Sequence, residues 1–169
     1  EKELMILIGD VQPVTPEGQF EVNSKILDYF EAKGGKLIYT LGGYSTGKLL
    51  DRRRVLGVVT HKELIPALKK NGVVFGEAKG TIVGAAGMLL GLGMLRGMKG
   101  ACLMGETHGA YVDSKSAKNL LQTLTKILNV DIDLKRLDER VKVDESVMKK
   151  ISDQILKPTQ GSQDLSYIR

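Results

Sequence analysis

Apolar positions come in short runs separated by polar, glycine-punctuated stretches, and the spacing of the runs alternates between strand and helix. Leu4-Met5-Ile6-Leu7-Ile8 is continuous and stops at Gly9-Asp10, the pattern of a strand buried on both faces. Thr15-Pro16-Glu17 is a helix start: a capping hydroxyl, proline in the first turn and an acid facing the dipole. That helix is expected to run through Phe20, Ile26, Leu27 and Phe30 and to stop at Gly34-Gly35. Lys36–Leu41 and Val55–Val59 read as strands, with the Gly42–Gly47 stretch between them as a glycine-rich loop. Thr60 and Glu63 have the spacing of a capping box, which predicts a helix through Leu64 and Leu68 to Asn71-Gly72, bent near Pro66. Val73-Val74-Phe75 reads as a further short strand.

From Ile82 to Leu95 the chain carries no charge, yet glycine recurs at Gly84, Gly87, Gly91 and Gly93. A membrane span needs about 20 apolar residues, so this shorter run predicts a buried core helix. Each interior glycine costs a helix about 1 kcal/mol relative to alanine. A folded protein tolerates that cost where another backbone comes close. Strand Gly100–Met104 follows, then the polar Gly105–Gly109 segment. Asp113-Ser114 caps a helix from Lys115 to Leu128. Alternating strands and helices define an α/β fold, a three-layer α/β/α sandwich whose strand order is not readable.

The last long helix differs. Leu134, Leu137, Val141, Met148, Ile151 and Ile155 keep a 3,4 spacing, with Asp144 at the interrupted position. Such a seam docks on the body or joins a second copy. Gly84, Gly87 and Gly91 on the apolar helix, with Leu137, Val141, Met148 and Ile151 on the seam, are therefore the candidate packing and oligomer surface. Residues 1–157 are expected to form the α/β body and 158–169 a flexible tail. The tail is polar from Thr159 to Asp164, too poor in apolar residues to order itself. It then ends in Leu165-Ser166-Tyr167-Ile168-Arg169, an apolar tip suited to capture by a partner.

Composition excludes several classes. A formal net charge of +5 is modest, and only Asp51-Arg52-Arg53-Arg54 is concentrated, which reads as a solvated turn and not a nucleic-acid module. The single cysteine, Cys102, cannot form an internal disulfide and sits in an apolar strand, consistent with a reducing cytoplasm. Glu1-Lys2-Glu3 opens the chain without a secretory-signal pattern or a methionine, so a cut protein is expected.

Two motifs invite an enzymatic alternative, a nucleotide- or nucleoside-binding enzyme. Gly42–Lys48 nearly spells a phosphate-binding loop, but Leu49 stands where the magnesium-binding hydroxyl belongs, and a strand follows instead of a helix. His108 could act as acid or base with Glu106 orienting it. No nucleophile accompanies them, His61 lies apart, and no zinc spacing exists. No catalytic residue, metal or cofactor is assigned.

Several blocks in order resemble the archaeal proteasome assembly chaperone family. They are Ile8-Gly9-Asp10-Val11-Gln12-Pro13 with Glu17-Gly18, Tyr39-Thr40-Leu41-Gly42-Gly43-Tyr44, Gly80-Thr81-Ile82-Val83-Gly84-Ala85-Ala86-Gly87, and Leu103-Met104-Gly105-Glu106-Thr107 before Gly109. The resemblance covers roughly residues 4 to 155. It implies a sandwich akin to purine nucleoside phosphorylases and related hydrolases. It also implies a non-enzymatic, ATP-independent cytoplasmic homo-oligomer that engages proteasome α-subunits through C-terminal tails. Such tails often end in a hydrophobic residue, a tyrosine and a final residue. Here Tyr167 is third from the end and Ile168 penultimate, a shift of one. Leu165, Tyr167, Ile168 and Arg169 are the implied partner-binding residues. Members of that family carry a further N-terminal segment before the strand expected at Leu4.

Overall fold

A computed structural model describes residues 3–48, 50–78 and 80–155, with side chains described as far as residue 147. The elements in chain order are α1 (Pro16–Ala32), β1 (Leu37–Ser45), β2 (Val55–Val59), a 3-10 turn (Lys62–Leu64) and α2 (Ile65–Lys70). They continue with β3 (Val73–Phe75), α3 (Ala85–Leu95), β4 (Lys99–Thr107), α4 (Ser114–Leu128) and α5 (Lys135–Ile155). The four strands form one mixed sheet in the order β1-β4-β2-β3. β1 runs parallel to β4, β2 antiparallel to β4, and β3 parallel to β2.

Alternation along β4 divides the core. Ala101 and Leu103 join Val55, Leu68, Val73 and Leu120 on one face, whereas Cys102 and Met104 meet Leu90 on the other. Side chains one residue apart on a strand point to opposite faces, so helices cover both sides and the three-layer arrangement follows. α3 lies over β1 and β4 beside α1, and α4 covers the opposite face.

Local chemistry sets the helix ends. Thr15 Oγ1 accepts from Gly18 N at 3.1 Å, and Asp113 accepts from Ser116 N at 3.0 Å, as their sequence positions predict. Thr60 departs from its expected role. Its hydroxyl accepts from Gly100 N at 2.9 Å and faces Gly100 O at 3.2 Å, tying the end of β2 to β4. Glu63 pairs with Lys99 instead, so no capping box forms and the segment opens as a 3-10 turn.

The Leu4–Ile8 strand is not formed. These residues adopt no ladder, and their side chains are exposed, Ile8 by 85%. An apolar run becomes a strand only when a neighbour takes its backbone bonds, and none of the described strands pairs with it. The loop expected over Gly42–Gly47 is also shorter. Gly42–Ser45 extends β1, in register with Met104–Thr107 of β4.

α5 lies against α4, and Asp144, the polar interruption in its seam, explains how. Its Oδ2 accepts from Ser114 N at 3.2 Å, beside the Lys115–Glu145 pair at 3.3 Å and the Lys118–Asp138 pair. Leu137 and Val141 are half-buried; the side chains of Met148 and Ile151 lie outside the described residues.

Candidate functional site

Parallel β1 and β4 end together, and antiparallel β2 begins at that same end, so three separate chain segments converge there. In α/β folds the carboxyl ends of strands are where ligands bind. A cleft of about 650 Å³ opens at this place, lined by Tyr44, Ser45, Lys48, Arg52, Arg54, Glu77 and Glu106 among others. The two motifs of the enzymatic alternative, Gly42–Lys48 and Glu106–His108, are thus neighbours in space.

Their chemistry is not that of a general base. Glu106 is only 2% exposed and its carboxylate is fully engaged by Arg54. Arg54 donates from its backbone N at 3.0 Å, Nε at 2.9 Å and Nη2 at 2.6 Å. Those hydrogen bonds hold the Glu106 carboxyl below the usual carboxylate range, against the upward push of burial. Glu77 takes the remaining arm of Arg54 at 2.5 Å. Glu106 therefore does not orient His108, whose ring stacks on Tyr111 at 5.6 Å while its carbonyl accepts from Ser45 Oγ at 2.9 Å. Burial raises the pKa of Cys102 and makes its thiol a poor nucleophile.

Reading Asp51–Arg54 as a solvated turn holds for Asp51 and Arg52, which are exposed, and fails for the other two. Arg53 forms a near-buried pair with Asp113 at 3.0 Å, with side chains 10% and 5% exposed. Asn119 holds the carbonyl of Arg53 at 2.8 Å. These partners lie far apart in sequence, and no local spacing announces them. Among the described residues no group of three or more metal-ligating side chains gathers, and no helix is long and apolar enough to cross a membrane.

A second cleft, of about 580 Å³, adjoins the first at Tyr44 and Ser45 and runs to the start of α3. Gly84 caps that helix with φ 79° and has no side chain to offer. Gln12 serves instead, its Oε1 accepting from Ala85 N at 2.9 Å, and a Cβ on Gly84 would sit 2.5 Å from that oxygen. Gly87 allows the Ile82 carbonyl to approach, since a Cβ there would lie 2.2 Å from it. Gly91 differs: nothing lies within 4 Å of its would-be Cβ and it is exposed, so close approach within this chain does not explain it. Gly87→Ala should cost about 1–3 kcal/mol by forcing the Ile82 turn to move. Gly91→Ala should leave the monomer unchanged or stabilise it by up to about 1 kcal/mol. Thermal unfolding of the two variants side by side checks both signs.

α3 is apolar on every side, yet Val83 before it and Leu95 at its end are 84% and 80% exposed. The tail residues Leu165, Tyr167, Ile168 and Arg169 lie outside the described residues.

A mixed sheet with helices on both faces and an ion-paired cleft at its strand ends defines an α/β sandwich protein. Residues 1–152 match the PAC2 family, and the chain belongs to it. It is 36% identical over 174 residues to the uncharacterized protein MJ1210 of Methanocaldococcus jannaschii, covering 99% of this chain and 67% of that protein. In structure it is similar to Pyrococcus furiosus PbaB, described as an archaeal proteasome activator. The TM-score is 0.78 at 44% identity, over 85% of this chain and 63% of PbaB. It is also similar to Pyrococcus furiosus PbaA, an archaeal homolog of proteasome-assembly chaperone. There the TM-score is 0.73 at 26% identity, over 83% of this chain and 59% of PbaA. The chain thus spans less than two thirds of either Pyrococcus protein.

Proposed function

We propose that this chain is a non-enzymatic proteasome assembly chaperone that binds the α-subunits of the 20S core as a homo-oligomer, without ATP. The observation that carries the reading is its 44% identity and 0.78 TM-score to PbaB, joined by the likeness to PbaA. The engaged state of Glu106 supports the non-enzymatic part, because the carboxylate expected to orient His108 is committed to Arg54. The exposed apolar pair Met94 and Leu95 at the end of α3 supports self-association, since a folded chain gains by covering such side chains. In this account Gly84, Gly87, Gly91 and the Leu137–Ile151 seam contribute packing or oligomer contacts. Leu165, Tyr167, Ile168 and Arg169 anchor each protomer in a pocket of the α-ring.

PbaB's description as an activator favours a second reading, in which the chain binds finished proteasomes and raises their activity. One experiment separates the two. The chain is mixed with separately purified α- and β-subunits, and in parallel with mature 20S particles, both without nucleotide. The assembly reading predicts faster appearance of α-subunit rings by native mass spectrometry. Faster peptide hydrolysis by mature particles, with no change in assembly, would favour the activator. A chain that binds neither α-subunits nor particles would contradict both.

A further inference from the structure

The cleft at the strand ends contains cations that the fold does not use. Arg54 is committed to Glu106 and Glu77, and these two carboxylates are in turn committed to it. Lys48 and Arg52 line the same cleft, are exposed, and have no ion-pair partner among the described residues. Counting the lining groups, three cations face two carboxylates, a formal net charge of +1, and both carboxylates are hydrogen-bonded to Arg54. The net charge of the lining is positive, which favours an anion there. Three hydrogen bonds tie the converging segments together at the mouth. Thr46 N donates to Thr107 O at 2.9 Å, Ser45 Oγ ties β1 to the His108 carbonyl, and Glu106 N donates to Arg54 O at 2.9 Å.

From this we propose that the cleft binds a phosphate group, with Lys48 and Arg52 as its cationic ligands. Arg54, fixed by its two carboxylates, shapes the floor. Phosphate is favoured over a single carboxylate because it has more terminal oxygens to divide between the Arg52 fork and the Lys48 ammonium. Arginine, with its planar fork of donors, suits phosphate oxygens, and lysine supplies a point charge. A magnesium complex is disfavoured, because Glu106 is engaged at both oxygens by Arg54, Glu77 is already paired with Arg54, and the lining is net positive. The site is independent of the tail-anchoring mechanism.

The probes are inorganic phosphate, AMP and adenosine, titrated into the full chain by calorimetry at low salt. Phosphate is expected to bind and to lose about tenfold in affinity on Lys48→Ala or Arg52→Ala, the scale of one charge-assisted hydrogen bond at an exposed site. Lys25→Ala, an exposed lysine on α1, is the control and should change nothing. AMP binding more tightly than phosphate would identify a nucleotide as the source of the group, and equal affinity would identify free phosphate; both support the site. Adenosine binding as well as AMP, or phosphate binding unchanged by both variants, would overturn it. So would phosphate failing to bind at all, and if the same two substitutions then weakened association with proteasome subunits, the cations would serve an acidic protein surface.

Discussion

Glu106→Gln should lower the stability of this protein by about 2 kcal/mol at neutral pH, the largest loss expected from any conservative change of a single side chain in the cleft. The carboxylate is buried and accepts three donors from one residue, Arg54. Glutamine keeps one acceptor and turns an NH₂ toward the guanidinium, so donor meets donor. Removing one partner of a buried pair costs about 3–5 kcal/mol, but the Arg54 side chain is 39% exposed and retains Glu77, so water and Glu77 soften the loss. For a chain of this size about 2 kcal/mol is a melting shift of about 4–8 °C. The pH dependence has a fixed sign. Because the folded-state pKa lies below the unfolded value of about 4.3, the stabilisation is complete above that pH. It fades as pH falls through the folded pKa. Wild type and variant should therefore differ most at neutral pH and converge in acid. Urea unfolding at pH 7 and near pH 3 tests this. A variant as stable as wild type at pH 7 would show that the Arg54 clamp contributes no folding energy, and a gap that persists unchanged in acid would show that the loss does not come from the carboxylate's charge.

Much of the architecture could be read from residue pattern because the relevant forces are local. Pro16 with Thr15 before it starts α1, Asp113 caps α4, and the apolar core of β4 stands out as Gly100–Met104. What was hidden depends on partners far along the chain. Gly105, Glu106 and Thr107 look like a polar loop, yet they finish β4, because Arg54 satisfies the carboxylate and Ser45 supplies the ladder neighbour. Thr60 carries capping chemistry but spends it on Gly100. Leu4–Ile8 has the composition of a buried strand, and composition cannot say whether a neighbouring strand is present. The cleft was legible only as two separate motifs. Its defining feature, the Arg54 clamp, spans residues 54, 77 and 106 and leaves no periodic trace.

The proposed anchor is the C-terminal tip, and its removal should have the larger effect on function. Deleting Asp164–Arg169 is expected to leave the melting temperature within about 1 °C of the intact chain, because the polar stretch before it is too poor in apolar residues to join a core. Binding should fall far more. When several tails on one oligomer engage one ring, avidity exceeds a single tail's affinity by about 10²–10⁴-fold, and all of that disappears with the tips. Tyr167→Ala should weaken binding more than Ser166→Ala. A tyrosine ring offers apolar area at depth and a hydroxyl at a wet rim, which serine cannot match.

The most direct measurement is the affinity of the intact and the truncated chain for isolated proteasome α-subunits, by surface plasmon resonance at matched protomer concentration, with circular dichroism on both to establish folding. The account predicts tight binding by the intact chain and a loss of at least about 10²-fold on truncation, with the fold unchanged. Equal affinity of the two chains would contradict it and would transfer recognition to the α/β body.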